Sequence, residues 1–188
     1  LSHQSFPDMR LAQDPMFKFT LARSLYKTIL RYVSSNHGKS YTVQPLAPNH
    51  FAVEIGEKGL ATLSWSPQYD KSEPTARPTS YILYVAEGKG GFDNGTVVRA
   101  ASCQMRLEPG KLYSFRVAAL NKGGESFPSE TLSALYEPTA HKTVLVVNNF
   151  HRLASPQVID NATQQGFDMD ADPGVSYGLT AGWSGKQI

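Results

Sequence analysis

At 188 residues, with 40% apolar and 18% charged side chains, the chain has material for one ordinary domain with flanks or two small ones, and it is too apolar to be a disordered tail. A formal net charge of +2 is too near neutral for nucleic acid to be held by bulk electrostatics. The single cysteine, Cys103, excludes an internal disulfide, so stability has to come from a hydrophobic core; one cysteine fits the cytosol and equally bacterial export.

No apolar run approaches the roughly 18 residues that span a bilayer. Residues 1–10 are polar and lack the hydrophobic stretch of a signal peptide. The chain opens without Met, and the expectation is an excised fragment of something longer.

Residues 1–13 read as loop. Asp14-Pro15 reads as a helix start, because Asp caps free N–H groups and Pro suits the first helical position. Phe19, Ala22, Leu25, Tyr26, Ile29, Leu30 and Val33 then recur at spacings of three and four, which predicts one apolar stripe on a helix of about five turns. Arg23, Lys27 and Arg31 line the other side. Ser34-Ser-Asn-His-Gly38 ends the helix, with Gly38 suited to a left-handed cap. Such a stripe needs a partner surface. The expectation is docking on the domain that follows, the alternative being a body outside this chain.

Residues 41–45 read as a linker. Pro45 and Pro48 flank Leu46, and 51–55 alternate as a first strand at a sheet edge, where Pro is tolerated. After a turn at 56–59, Leu60-Ala-Thr-Leu-Ser-Trp65 alternates as a second strand. Residues 66–79, with Pro67, Pro74 and Pro78, form a long loop, and 80–85 a third strand. Gly88-Lys-Gly-Gly91 and Asn94-Gly95 punctuate a hairpin to 96–98, and 102–107 is the next strand. Pro109-Gly110 forms a turn, Pro presetting φ and Gly taking φ > 0. The strand at 113–120 then places Tyr113, Phe115, Val117 and Ala119 on one face, and Ser114, Arg116 and Ala118 on the other. Residues 131–136 make the last strand. Six to seven short strands separated by turn clusters predict a sandwich.

Beyond Pro138 the pattern changes. Thr143-Val-Leu-Val-Val147 is an unbroken β-branched run, as in a strand covered on both faces. Asn148-Asn149 and Phe150-His-Arg-Leu follow, which suits the carboxyl end of the opening strand of an α/β domain. The expectation for 141–188 is the start of a further module, or a tail wrapping the sandwich.

Trp65-Ser-Pro67, Tyr81-Ile-Leu-Tyr84-Val, the run 107–117 and Asn121-Lys-Gly-Gly-Glu-Ser126-Phe-Pro-Ser129 together resemble a fibronectin type III domain over about 43–138. The resemblance implies a mainly β, immunoglobulin-like Greek-key sandwich, here with an N-terminal helix and a C-terminal extension. Tyr113, just after the Pro109-Gly110 corner, is then expected to bury its ring and return its hydroxyl to the corner backbone, with Trp65 in the core. Leu1-Ser-His-Gln-Ser-Phe-Pro-Asp-Met-Arg10, Asp14-Pro15 and Ala22-Arg-Ser-Leu-Tyr26-Lys-Thr-Ile29 resemble the C-terminal end of a zinc-dependent N-acetylmuramoyl-L-alanine amidase. They are also similar to the N-terminal part of secreted bacterial proteins named xanthan lyases, in which a fibronectin type III module follows. That resemblance implies that 1–40 is the remnant of a preceding amidase-like domain. It further implies a parent that is a zinc amidase or polysaccharide lyase, and a secreted, periplasmic or cell-surface location. The family's zinc-binding His and Glu residues have no counterpart in this segment, so the resemblance speaks to context rather than to an activity of the fragment.

The chemistry-bearing candidates are sparse. Asp168-Met-Asp170-Ala-Asp172 has the alternation of a calcium loop. Its sixth position is Pro173 where Gly is needed and its twelfth Leu179 where a bidentate Glu is needed, so a solvated acidic turn is the reading and calcium the alternative. His3, His37, His50, His141 and His151 contain no local zinc pair. His151, just past the apolar run and the two asparagines, is the best single site candidate, against a surface or packing role. Cys103 reads as a small buried hydrophobe, and Gly88-Lys-Gly-Gly91 as a hairpin rather than a phosphate loop. Tyr177 and Trp183 lie in Gly-rich surroundings where exposure would let them stack a sugar. No catalytic or cofactor-binding residue is assigned. The reading is a non-catalytic spacer whose partners are neighbouring domains of the same chain, within an exported enzyme of the cell wall or of polysaccharides. The alternatives are a glycan- or protein-binding module, and a fragment completing a hydrolase or lyase site with residues outside it.

Overall fold

In the computed structural model, which describes residues 4–147 and 157–168, the alternating runs become two antiparallel sheets. β1 (Asn49–Ile55), β2 (Leu60–Ser66) and β5 (Ser102–Arg106) make one sheet in the order β1-β2-β5. The other contains β3 (Ser80–Glu87), β4 (Thr96–Val98), β6 (Leu112–Asn121), β7 (Gly124–Glu125) and β8 (Leu132–Leu135). Its order is β4-β3-β6-β7, with β8 pairing the beginning of β6. The chain changes sheet from β2 to β3, from β4 to β5 and from β5 to β6, which is the Greek-key arrangement.

β6 is buried on alternate residues: Tyr113, Phe115, Val117 and Ala119 face inward and meet Leu63 and Trp65 of β2 and Tyr81 and Leu83 of β3 in one core cluster. Burying each such large side chain is worth roughly 1.5–3 kcal/mol, so this stripe sets the register of the strand. Trp65 packs edge-on against Tyr81 at 5.3 Å and against Phe51 at 6.3 Å between ring centres. Cys103, on β5, is only partly buried, and burial pushes its thiol up.

The strand expected at 131–136 is interrupted upstream, and two serines repair the interruption. Pro128 has no N–H to contribute. The Val117 N–H donates instead to Ser129 Oγ at 3.1 Å and the Ala119 N–H to Ser126 Oγ at 2.9 Å. The Ser129 and Ser126 N–H groups donate back to the Val117 and Ala119 carbonyls at 2.7 and 2.9 Å. Side-chain hydroxyls therefore continue the ladder between β7 and β8.

At the Pro109-Gly110 corner, Gly110 has φ +71° and its N–H donates to the Tyr136 carbonyl at 2.8 Å, while the Leu107 N–H donates to the Gly59 carbonyl at 2.8 Å. The Tyr113 ring is buried and stacks parallel to Phe115, ring centres 6.2 Å apart. Its hydroxyl has no hydrogen-bond partner among the described residues. The corner is tied by main-chain bonds to the neighbouring strand, and the hydroxyl return expected there is replaced by ring packing.

The first 13 residues are not all loop. α1 (Phe6–Gln13) starts after Ser5 with Pro7 in its first turn, where the missing N–H costs nothing. α2 (Pro15–Asn36) starts as expected, the Met16 N–H donating to Asp14 Oδ1 at 2.9 Å, and closes with Lys39 N–H on the Ser34 carbonyl at 2.9 Å. No residue of α2 is buried, and Leu25 and Ile29, on its apolar stripe, are 58% and 63% exposed.

The chain divides into two units, Leu30–Thr143 and Leu1–Ile29 with Val144–Ile188. The first is the sandwich with the last turns of α2. Within the second, β9 (Gln157–Asp160) and β10 (Gln165–Asp168) form a hairpin, turned by Asn161, whose Oδ1 accepts from the Thr163 and Gln164 N–H groups at 3.0 and 2.9 Å. The hairpin meets α1 through a Phe6–Phe167 ring contact at 5.7 Å and an Arg10–Asp160 ion pair at 2.9 Å. Val144, Leu145, Val146 and Val147 form no strand and are largely exposed, because no sheet edge takes up their backbone; the buried strand expected at 143–147 is absent.

Two stability predictions follow from these contacts. Tyr113→Phe keeps the ring stack and has no hydrogen bond to lose, so denaturant unfolding should place it within about 0.5 kcal/mol of wild type, whereas Tyr113→Ala should cost about 3–5 kcal/mol. A loss above about 1 kcal/mol in Tyr113→Phe would show that the hydroxyl is bonded after all. For the helix, Leu25→Asp combined with Ile29→Asp should leave the thermal midpoint of the monomeric chain unchanged; a lowered midpoint would mean that the stripe is covered in solution.

Candidate functional site: the joint at the head of the sandwich

The polar residues that the fold gathers most tightly lie where residues 39–45 enter the sandwich, within the Leu30–Thr143 unit. Val43 is 0% exposed, with Pro45 buried beside it. A segment that goes under must satisfy its backbone, and here loop side chains do so. The Val43 N–H donates to Thr75 Oγ1 at 3.1 Å, and its carbonyl accepts from Asn121 Nδ2 at 2.9 Å. The same Asn121 amide reaches the Thr75 and Arg77 carbonyls at 3.1 and 3.3 Å, and its Oδ1 accepts from the Gly123 N–H at 2.7 Å. Gly123 leaves no room for a side chain, since a Cβ would collide with the Thr42 carbonyl. One asparagine thus bonds the entering segment, the 66–79 loop and the turn after β6 together.

Behind Thr75 stands a carboxylate. Glu73 is 3% exposed; its Oε1 accepts from the Thr75 hydroxyl and its Oε2 from Arg31 Nη2, both at 2.7 Å. Pro74 opens the short 3-10 turn Pro74–Ala76 that presents Thr75 beside it, the Ala76 N–H donating to the Glu73 carbonyl at 3.1 Å. Burial by itself would raise the Glu73 carboxyl, but the hydrogen bonds from Thr75 and Arg31 and the guanidinium charge outweigh it, and the carboxyl lies below its ordinary range. Arg31 comes from the last turns of α2 and lies over the Tyr41 ring at 5.4 Å. Its pKa is raised, first by the bond to Glu73. A chain of contacts therefore runs from α2 through Arg31, Glu73 and Thr75 to the backbone of Val43.

Among the described residues Glu73 is the one buried carboxylate, and each of its oxygens accepts a hydrogen bond. Among the described residues no three His, Cys, Asp or Glu side chains come together to hold a metal. An open cleft bordered by Val85, Glu87, Gly90, Gly91, Asp93 and Met105 offers two carboxylates, both engaged: Glu87 by Lys111 at 2.7 Å, and Asp93 by the Val85 and Gly95 N–H groups at 3.0 Å.

Of the residues singled out in the sequence, Trp65 and Tyr113 are core, Pro109 and Gly110 form the corner, and Asp168 ends β10. His151, Asp170, Asp172, Tyr177 and Trp183 lie outside the described residues. The joint residues Arg31, Glu73, Thr75, Asn121 and Gly123 were not singled out. Arg31 and Glu73 are 42 residues apart, and no local period links them. The sequence signals were a Glu directly before Pro74 in a loop otherwise free of periodicity, and the Asn121-Lys-Gly-Gly run, which by itself reads only as part of the fold.

With sandwich and joint in view, the fold is that of a fibronectin type III module. Residues 46–134 match the family model of the fibronectin type III domain. Solved structures similar to this chain include the twitchin kinase region from C. elegans, at 27% identity over 53% of this chain and 18% of that one, TM-score 0.45. Titin kinase with its flanking domains is similar at 22% identity over 50% and 17% of the two chains, TM-score 0.41. The third fibronectin III domain of human KIAA0343 protein is similar at 18% identity over 56% and 93%, TM-score 0.43. This chain thus spans only 18% of the twitchin chain.

The pH dependence of the joint follows from Glu73. A carboxyl whose folded pKa is lowered contributes stability that is present above its unfolded value, about 4.3, and lost as pH falls through the folded value. Glu73→Gln should melt below wild type at pH 7 by about 1–2 kcal/mol, less than a fully buried pair because the Arg31 side chain is 51% exposed. Thermal melts from pH 7 to pH 3 should show the gap closing below about pH 4. A gap that stays constant across that range would remove the carboxylate from the joint.

Proposed function

We propose that residues 30–143 act as a non-catalytic spacer that holds the end of α2 in a fixed direction relative to the sandwich. Fibronectin type III domains commonly serve as linker or scaffold modules beside other domains of one chain. The observation that carries the reading is Val43: a residue in a connecting segment, 0% exposed, with its N–H and carbonyl both bonded by loop side chains. A swinging linker would leave those groups to water.

The parent, on this reading, is an exported bacterial enzyme acting on the cell wall or on polysaccharides. Support comes from the likeness of 1–10, Asp14-Pro15 and 22–29 to the end of a zinc amidase. The exposed stripe on α2 also supports it: Leu25, Ile29 and Val33 present an apolar face that a preceding globular body would cover. The reading frame ahead of Leu1, examined for an export signal and for zinc-binding His and Glu residues, tests this context.

Rigidity is tested by distance. Spin labels at Asn36→Cys and Ser102→Cys, in a Cys103→Ser background, should give one narrow distance distribution by pulsed electron resonance. Adding Asn121→Ala should broaden it while the sandwich stays folded. A broad distribution in the parent pair, or no change with Asn121→Ala, would overturn the spacer reading.

A further inference from the structure

The turn that leads into β4 is built around a reactive dipeptide, Asn94-Gly95. Gly95 has φ +78°, and a Cβ there would stand 2.5 and 2.6 Å from side-chain carbons of Ile82 and 2.8 Å from the Tyr84 ring. Backbone and packing together therefore require glycine at this position. Asn94 before it is exposed, and its carboxamide has no hydrogen-bond partner among the described residues. An asparagine side chain can close a five-membered ring on the nitrogen of the next residue, and a glycine there puts no side chain in the way. That intramolecular reach is what makes asparagine a thermally labile residue.

The nitrogen is guarded. The Gly95 N–H donates to Asp93 Oδ1 at 3.0 Å, and the same oxygen accepts the Val85 N–H at 3.0 Å. The Asp93 N–H donates in turn to the Val85 carbonyl at 2.9 Å, so the carboxylate is anchored to β3. Attack on Asn94 requires the Gly95 nitrogen to lose its proton and turn toward the Asn94 Cγ. Asp93 opposes both steps. Its hydrogen bond holds the N–H in place, and its negative charge disfavours a second anion beside it. Ring closure therefore waits for the hairpin to open at Asp93.

We propose that Asn94 is a site of spontaneous covalent modification, gated by Asp93, at which the asparagine becomes an aspartyl or isoaspartyl residue. In the open hairpin the deprotonated Gly95 nitrogen attacks the Asn94 Cγ. The new C–N bond forms as the bond from Cγ to the carboxamide nitrogen breaks, and ammonia leaves with the proton that the Gly95 nitrogen gave up. Water then opens the cyclic imide at either carbonyl. One opening restores the main chain with an aspartate side chain; the other runs the main chain through the former side chain and adds a methylene to it. One water is consumed and one ammonia released. Either product adds a negative charge to a chain of formal net charge +2. β4 feels the change, because it is only Thr96–Val98, paired to Leu83, Ile82 and Tyr81, and a lengthened turn no longer sets that register. The modification thus marks the age of the module by loosening one sheet edge. It is independent of the joint at Val43, which uses none of these residues.

The test follows the full 188-residue chain by mass, with peptide mapping to place the change, beside a blocked peptide of residues 91–98. The chain should gain about 1 Da at Asn94. It should do so faster as pH is raised from 7 to 8.5, and at every pH more slowly than the peptide, which has no hairpin to open. Asn94→Gln should remove the gain. Asp93→Ala should speed conversion by roughly threefold or more, and should speed hydrogen exchange of the Gly95 amide by the same factor, since both need the same opening. Asp93→Glu, which keeps the charge but displaces the acceptor, should accelerate both rates together in a hairpin that still forms. No gain at Asn94 while the peptide converts completely, a chain rate equal to the peptide's, or an unchanged rate in both Asp93 variants would each overturn the proposal.

Discussion

The sandwich depends on the two-sided use of β6. Its inward residues fill the core between the sheets, and its backbone is shared by β3 along one edge and by β7 and β8 along the other. A slip of one residue would turn Phe115 and Val117 to water and drive Ser114 and Arg116 into the core, an exchange of several kcal/mol in the wrong direction. That penalty sets the register of every strand that pairs with β6. It also explains the two serines: where Pro128 breaks the returning strand, the N–H groups of Val117 and Ala119 still need acceptors, and hydroxyls supply them.

The same economy governs the head of the domain. Segment 39–45 is irregular, so its backbone cannot be satisfied by a ladder, yet Val43 is buried. Asn121 resolves the conflict with a side chain that both donates and accepts, and Glu73 with a carboxylate that gathers Thr75 and Arg31. Because Arg31 belongs to the last turns of α2, helix end and sandwich are coupled through a polar relay. The apolar stripe of α2 is left exposed at Leu25, Ile29 and Val33.

Among the described residues, Trp65 Nε1 and Arg116 Nε are buried without a hydrogen-bond partner, and Arg116 is held instead by the faces of the Tyr84 and Phe92 rings.

Much of the sandwich was legible in the residues themselves. Period-two alternation in 60–65 and 113–120, the Pro109-Gly110 turn and the Asn94-Gly95 hairpin are short-range signals, each contained within a few residues. The capped start of α2 at Asp14-Pro15 is another. What escaped were choices made between distant segments. Whether the Tyr113 hydroxyl bonds depends on which backbone groups the folded corner brings near it. Whether the stripe of α2 is buried depends on a surface the periodicity does not specify, and whether 143–147 forms a strand depends on pairing with a sheet edge, which does not happen for 143–147. The hairpin at 157–168 was missed because four-residue strands carry too little pattern to stand out. The joint was the least visible of all, because Arg31, Glu73 and Asn121 acquire their roles only when a helix end, a loop and a strand end meet. Local sequence determines which face of an element is apolar; only the tertiary structure decides what covers it, because burial is a property of two surfaces and the sequence displays them one at a time.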